Sequence, residues 1–293
     1  MPSQRLPVLK THKLYIGGKF PRSESGRYMT ATDASTGEHL AHYAHASRKD
    51  LRDAVVAART AFPGWRDSSA YLRGQILYRA AEMMESRAAS LAGEIADSTG
   101  NSPASAKAEV EASVDRLVHF AGWTDKYGQV FSSVNPVSTP HFNFTSPNPT
   151  GVVGVFAPDA PGLLGLVSLT AQVVLSGNTV VVVASETGPL PAIAFAEALA
   201  TCDLPDGVVN ILTGKRGELA PWLAGHMDVN AVIDASGDAA VFKTLREGTA
   251  ENLKRVHSHA LESEDDWFGE PGRDPYRILD TVEFKTAWHP VAV

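Results

Sequence analysis

The sequence predicts an α/β protein, in which N-terminal helices precede a doubly wound parallel sheet and a separate strand closes the chain. Three patterns carry this expectation. Before Thr150, capped amphipathic helices dominate; after it, short β-forming runs alternate with helical segments. Thr281 to His289 then alternates with a period of two.

Near the start, Leu14-Tyr15-Ile16-Gly17-Gly18-Lys19-Phe20 reads as a short strand, a glycine turn and the start of a second strand. Ser47 with Asp50 forms a capping-box pattern that opens a helix through Ala61, and Pro63-Gly64 is expected to end it. A long helix follows from Ala70 to Asp97, with Leu72, Ile76, Met83, Met84, Leu91 and Ile95 as its apolar stripe. Gly100-Asn101 closes that helix, and Ser102-Pro103 supplies an N-cap and a first-position proline for the next. In this third helix Val110, Val114, Leu117 and Val118 fall at helical spacing. The aromatics between Phe120 and Tyr127 read as core or partner-facing anchors.

Val152 to Phe156 is a buried-strand pattern, followed by a Pro/Gly-rich turn and an apolar helix from Leu163 to Leu175. Thr179 to Val183 is an unbroken β-forming run, typical of a central parallel strand. Helix Pro191–Thr201, strand Val208–Leu212, helix Glu218–Gly225 and strand Ala231–Ile233 continue the series. Units of this length imply right-handed crossovers, and ligands of such sheets sit beyond the carboxyl ends of the strands. No Gly-x-Gly-x-x-Gly fingerprint lies at those ends, so by motif alone the sheet could be purely structural. In the tail, Val282, Phe284, Thr286 and Trp288 share one face of a half-buried strand. Glu262 to Gly272, acidic with glycines, reads as linker. The expected boundaries are therefore a cofactor-type domain over 1–260, a linker over 261–276 and a strand region over 277–293. A strand on a linker needs a sheet edge in its own subunit or a partner's.

Composition excludes some classes. With 44% hydrophobic and 20% charged residues the chain looks like an ordinary soluble protein. A net charge of −7 gives no electrostatic reason to expect nucleic acid or an anionic membrane. The single cysteine, Cys202, excludes an intramolecular disulfide. MPSQRLPVLKTHK has no signal-type apolar core and no apolar run is long enough to span a bilayer, so the cytoplasm is the expected location. There Asn143-Phe144-Thr145 is a chance glycosylation pattern.

From Leu14 to about Ala260 the chain resembles the aldehyde dehydrogenase superfamily. The resemblance rests on YIGGKF, STGEHLA, AFPGW, FAGWTDK, NPTGVVGVFAPDAP, LSGNTVVVVASETGPL, LPDGVVNILTG and LKRV, all in order. The tail VEFKTAWHPV resembles that family's closing strand, which crosses to a neighbouring subunit. The fold so implied is the family's NAD(P)-binding domain with an oligomerisation-type strand. Only sixteen residues separate Ala260 from Arg277, where the family's catalytic region and its nucleophilic cysteine would lie.

The departures bear on chemistry. In the turn Ala157-Pro158-Asp159-Ala160-Pro161, Ala160 stands where the resemblance places an asparagine whose amide stabilises an oxyanion. Losing one such donor costs roughly 10²–10³ in rate. Val183 replaces a ribose-contacting lysine, whereas Ser185 and Glu186 persist. His259 stands at the general-base position. Cofactor contacts are expected, if anywhere, at Pro158, Ser185, Glu186, Ser236 and Gly237, the last two matching the family's pair only loosely. Cys202 has Asp203 and Asp206 as neighbours, the wrong setting for a thiolate. His257-x-His259 lacks further ligands at metal spacing, and Gly214-Lys215-Arg216-Gly217 reads as a plain turn in preference to a phosphate cradle.

Two functions follow from this reading. One is a catalytically inactive homologue with no catalytic or metal-binding residue and with no or weak NAD(P) binding. It would serve as a structural or regulatory subunit, joining a full-length aldehyde dehydrogenase, or itself, through the tail strand. The other is an NAD(P)-dependent oxidoreductase or dinucleotide-binding protein whose catalytic groups come from another chain.

Overall fold

The computed structural model describes residues 8–291. The first seven residues, part of the stretch read as lacking a signal core, and the last two of the tail lie outside the described residues.

β1 (Thr11–His12), β2 (Tyr28–Thr32) and β3 (His39–Ala44) form a small sheet in the order β1-β3-β2. The strand pair expected over Leu14 to Phe20 is reduced to a tight turn. Ile16 and Lys19 bridge across Gly17-Gly18, whose φ values of +58° and +73° suit glycine at both positions. Tyr15 bridges to Ile211, which fastens the turn to the main sheet.

α1 (Arg48–Asp67) opens on the expected capping box between Ser47 and Asp50. It does not stop at Pro63-Gly64. One more turn buries Trp65, whose indole N–H donates to the Val174 carbonyl at 2.9 Å, and this offsets the proline's missing donor. The single long helix expected from Ala70 to Asp97 is two helices, α2 (Ala70–Glu85) and α3 (Ala88–Thr99), broken at Ser86-Arg87. The break lets Ile76 and Met84 on one side, and Leu91 and Ile95 on the other, reach the same core; Leu72 is left exposed. Gly100 ends α3 in the left-handed conformation. Ser102 caps α4 (Pro103–Ala121), which buries Val110 and Leu117 but not Val118. Phe120 and Tyr127 are core residues, the latter in α5 (Lys126–Phe131). β4 (Ser133–Val134) and β5 (His141–Pro149) follow.

The main sheet comprises β6 (Val152–Phe156), β7 (Thr179–Val183), β8 (Val209–Leu212), β9 (Ala231–Asp234) and β10 (Arg255–Ser258), all parallel in the order β10-β9-β6-β7-β8. The crossovers are α6 (Gly162–Val174), α7 (Leu190–Leu199), α8 (Arg216–Ala224) and α9 (Ala239–Thr249). Alternate residues of one strand serve opposite cores: Val180 and Val182 pack with α6 and α7, Val181 and Val183 with α1, α8 and α9. That is why β7 reads as a continuous apolar run rather than an alternating one.

Residues 261–276 are a packed strap rather than a loose linker. Ser263 caps α10 (Glu264–Phe268), two 3-10 turns follow at Pro271–Arg273 and Pro275–Thr281, and Trp267 and Ile278 are buried. The buried Arg116 of α4 donates to the carbonyls of Trp267, at 2.6 Å, and of Gly272. β11 (Val282–Pro290) then pairs antiparallel with β5 of the same chain, from Val282↔Pro149 to Pro290↔His141, in the order β11-β5-β4. The tail strand is therefore tied down along one edge within its own subunit. Of its apolar face only Val282 is buried; Phe284 and Trp288 are 49% and 56% exposed.

Candidate functional site

Strand order reverses between β6 and β9, so the crevice beyond their carboxyl ends is where a doubly wound sheet places a ligand. The turn after β6 contributes Pro158 and Asp159, the turn after β7 contributes Ser185 and Glu186, the turn after β8 contributes Lys215 and Arg216, and the turn after β9 contributes Ser236 and Gly237.

Five of these side chains, Asp159, Ser185, Glu186, Lys215 and Arg216, close on one another. Arg216 is buried and forks onto Asp159, with Nη1 to Oδ2 and Nη2 to Oδ1 both at 2.8 Å; Nη2 also donates to the Ala157 carbonyl at 2.7 Å. Asp159 further accepts the Ser185 hydroxyl at 2.9 Å and the Glu186 backbone N–H at 2.8 Å. Glu186 accepts Lys215 Nζ at 2.7 Å on one oxygen and the Arg216 backbone N–H at 2.6 Å on the other. Burial alone would raise the Asp159 pKa, but the Arg216 guanidinium and the two hydrogen bonds outweigh it and hold the carboxyl below its usual range. Glu186 raises the pKa of Lys215 through their hydrogen bond.

The five sequence-predicted cofactor residues all lie in these turns. Ser185 and Glu186 belong to this network. Pro158 is buried against Gly165 at the start of α6. Ser236 and Gly237 lie on the far side of β6, where the Ser236 N–H caps Asp234 at 3.0 Å and Gly237 turns with a φ of +71°. Burial raises the pKa of Asp234, and the Ser236 bonds only partly oppose it. Lys215 and Arg216 were missed as members of the site. Their only local signal was the Lys-Arg pair in a turn; the acceptors lie one and two strands away. The negative charge of Asp159 is neutralised by Arg216.

A dinucleotide's adenosine ribose is held in such folds by an acidic side chain that accepts its hydroxyls. Both Glu186 oxygens already carry internal donors, and Val183 faces the second core rather than the crevice.

The remaining candidates are bound into the fold. Cys202 is buried, its thiol donates to the Leu199 carbonyl at 3.2 Å, and burial pushes its pKa up to about 11, far from a thiolate at neutral pH. His259 is buried with Nε2 2.7 Å from Asp280, and His257 Nδ1 lies 3.3 Å from the same carboxylate. Among the described residues no group of three His, Cys, Asp or Glu is placed to hold a metal, and no helix is long and apolar enough to cross a membrane.

Fold and site together define a doubly wound α/β domain of the class that binds nucleotides at its strand ends. The profile of the aldehyde dehydrogenase family matches residues 20–262. Similar relatives include a putative aldehyde dehydrogenase, DhaS, of Bacillus subtilis, 32% identical over 250 residues, covering 84% of this chain and 50% of the relative. Another is the human cytosolic 10-formyltetrahydrofolate dehydrogenase, 32% identical over 264 residues, covering 87% of this chain and 29% of that one. Among solved structures, the NAD+ complex of an aldehyde dehydrogenase from Bacillus cereus superposes with a TM-score of 0.81 at 27% identity, over 86% of this chain and 51% of that one. The chain belongs to the aldehyde dehydrogenase family, and it spans half or less of the length of these relatives.

Proposed function

We propose that this chain is a catalytically inactive aldehyde dehydrogenase homologue with a structural or regulatory role, which assembles with a full-length aldehyde dehydrogenase. The observation that carries the reading is the Asp159–Arg216–Glu186–Lys215 network. It satisfies internally the groups that would otherwise meet a cofactor. The chemistry is consistent: the one thiol is protonated and buried, Ala160 offers no amide to an oxyanion, and His259 is engaged by Asp280. Cofactor binding is accordingly none or weak. The β11-β5-β4 flap, with Phe142, Phe284 and Trp288 left in water, supports assembly through that end of the molecule.

A second reading is an NAD(P)-dependent oxidoreductase acting on aldehydes, or a dinucleotide-binding protein, completed by another chain. It is favoured by Ser185 and Glu186 standing at the carboxyl end of β7 and by the NAD+ held in the B. cereus neighbour. Calorimetric titration with NAD+ and NADP+, beside turnover assays on simple aldehydes, separates the two. The first reading expects neither micromolar affinity nor turnover. Micromolar binding of either dinucleotide favours the second, and turnover that survives Cys202→Ala would falsify the account of the chemistry.

A further inference from the structure

We propose that the N-terminal sheet carries a binding pocket for a phosphate-bearing small molecule, built from His12, Lys13, Arg22, Arg27, Tyr28 and His42. These residues line a cavity of about 290 Å³ between β1, β3 and the segment that leads into β2, sharing no residue with the Asp159 network.

The lining is cationic in a chain whose net charge is −7, and it contains no Asp or Glu among the described residues. The three cationic side chains come from three separate segments, which suits an anion held from several sides. Lys13 and Arg22 make no ion pair among the described residues; Arg27 reaches Glu218 at 3.0 Å from its exposed end. The nearby acid, Asp50, is already satisfied, accepting the Ser23 hydroxyl at 2.7 Å, the Ser47 N–H at 2.7 Å and the Glu24 N–H at 3.0 Å.

A second observation points inward. His12, only 3% exposed, lines the cavity from a buried position. Burial, together with the positive charge of Lys10, lowers the His12 pKa to about 4, so the ring is neutral at pH 7 and can serve through one N–H or one lone pair. Tyr28 stands edge-on to His42 with centroids 4.7 Å apart, which walls one side with aromatic surface. The volume exceeds that of a phosphate ion alone, leaving room for a short organic portion beside it.

The test is calorimetric titration of the full chain at low ionic strength with glycerol 3-phosphate and with inorganic phosphate. It is repeated on Lys13→Ala and Arg22→Ala, surface changes that remove no packed side chain. The expected result is saturable binding, about tenfold weaker in each variant as a charge-assisted contact is lost, with a shift of the His12 imidazole resonance on titration. Tighter binding of the monoester identifies an organic phosphate as the ligand class; equal affinity identifies free phosphate. Absence of binding by both at millimolar concentration, or affinity unchanged in both variants, overturns the proposal.

Discussion

At the scale of single residues, the chemistry turns on which partners a side chain finds. Glu186 and Ser185 stand where the sequence resemblance put them, but their partners are Arg216 and Lys215, which no local pattern paired with them. The same holds for the histidines. His259 is buried against Asp280, and burial, the largest influence, lowers its pKa despite that carboxylate; His12 is lowered to about 4. Both rings are therefore neutral in the fold at pH values where the unfolded chain has already bound a proton. For a histidine depressed in this way the sign is fixed: stability is unaffected well above the unfolded pKa of 6.5. It falls as pH drops below that value, until the folded pKa is reached. Each group contributes a slope of up to about 1.4 kcal/mol per pH unit. Urea unfolding between pH 7 and pH 4 should show this loss, and His12→Asn should flatten the slope. Stability rising over that interval would contradict the assignment.

At the scale of elements, the flap behaves differently from the free strand that its sequence suggested. β11 is paired along its whole length with β5, and this leaves the other edge of β11 unpaired in the sheet order. Phe284 and Trp288 are exposed on one face of it, and Phe142 of β5, opposite His289 in the register, is exposed on the other. If that exposed surface mediates assembly, removing residues 283–293 abolishes it while sparing Val282, Ile278 and Trp267, which belong to the core. Mass by light scattering, with and without a full-length aldehyde dehydrogenase, measures this directly; an unchanged assembly state would rule the flap out as the contact. Cutting earlier, at Arg277, would confound the result by removing the buried Ile278.

At the scale of the molecule, the strap over residues 261–281 joins the nucleotide-binding fold to the flap across the face formed by α4 and α6. Trp267 is its anchor, buried to 3% exposure, with its carbonyl held by Arg116. Trp267→Ala should destabilise the whole chain by about 3–5 kcal/mol, the usual cost of removing a buried indole. If the strap were a mere tether, the change measured by denaturation would be within about 0.5 kcal/mol. Trp267, Ile278 and Val282 complete the core on that side.

The sequence by itself determined the parallel sheet, the limits of Thr179–Val183 and the caps at Ser47 and Ser102, because each rests on local chemistry: unbroken β-branched runs and side-chain oxygens within one turn of an exposed N–H. It also showed family membership, through motifs spread in order over most of the chain. It did not reveal β10, whose Arg255-Val256-His257-Ser258 lacks a strand's apolar signature because it lies at the sheet edge. Nor did it show that α1 runs past Pro63, since the burial of Trp65 against Val174 depends on a helix more than a hundred residues away. The closing of Arg216 on Asp159, of Asp280 on both histidines and of β11 on β5 belongs to the same class. These are contacts between segments far apart in the chain, and only the tertiary structure, by bringing strand ends and edges together, decides which charges and which backbone edges meet.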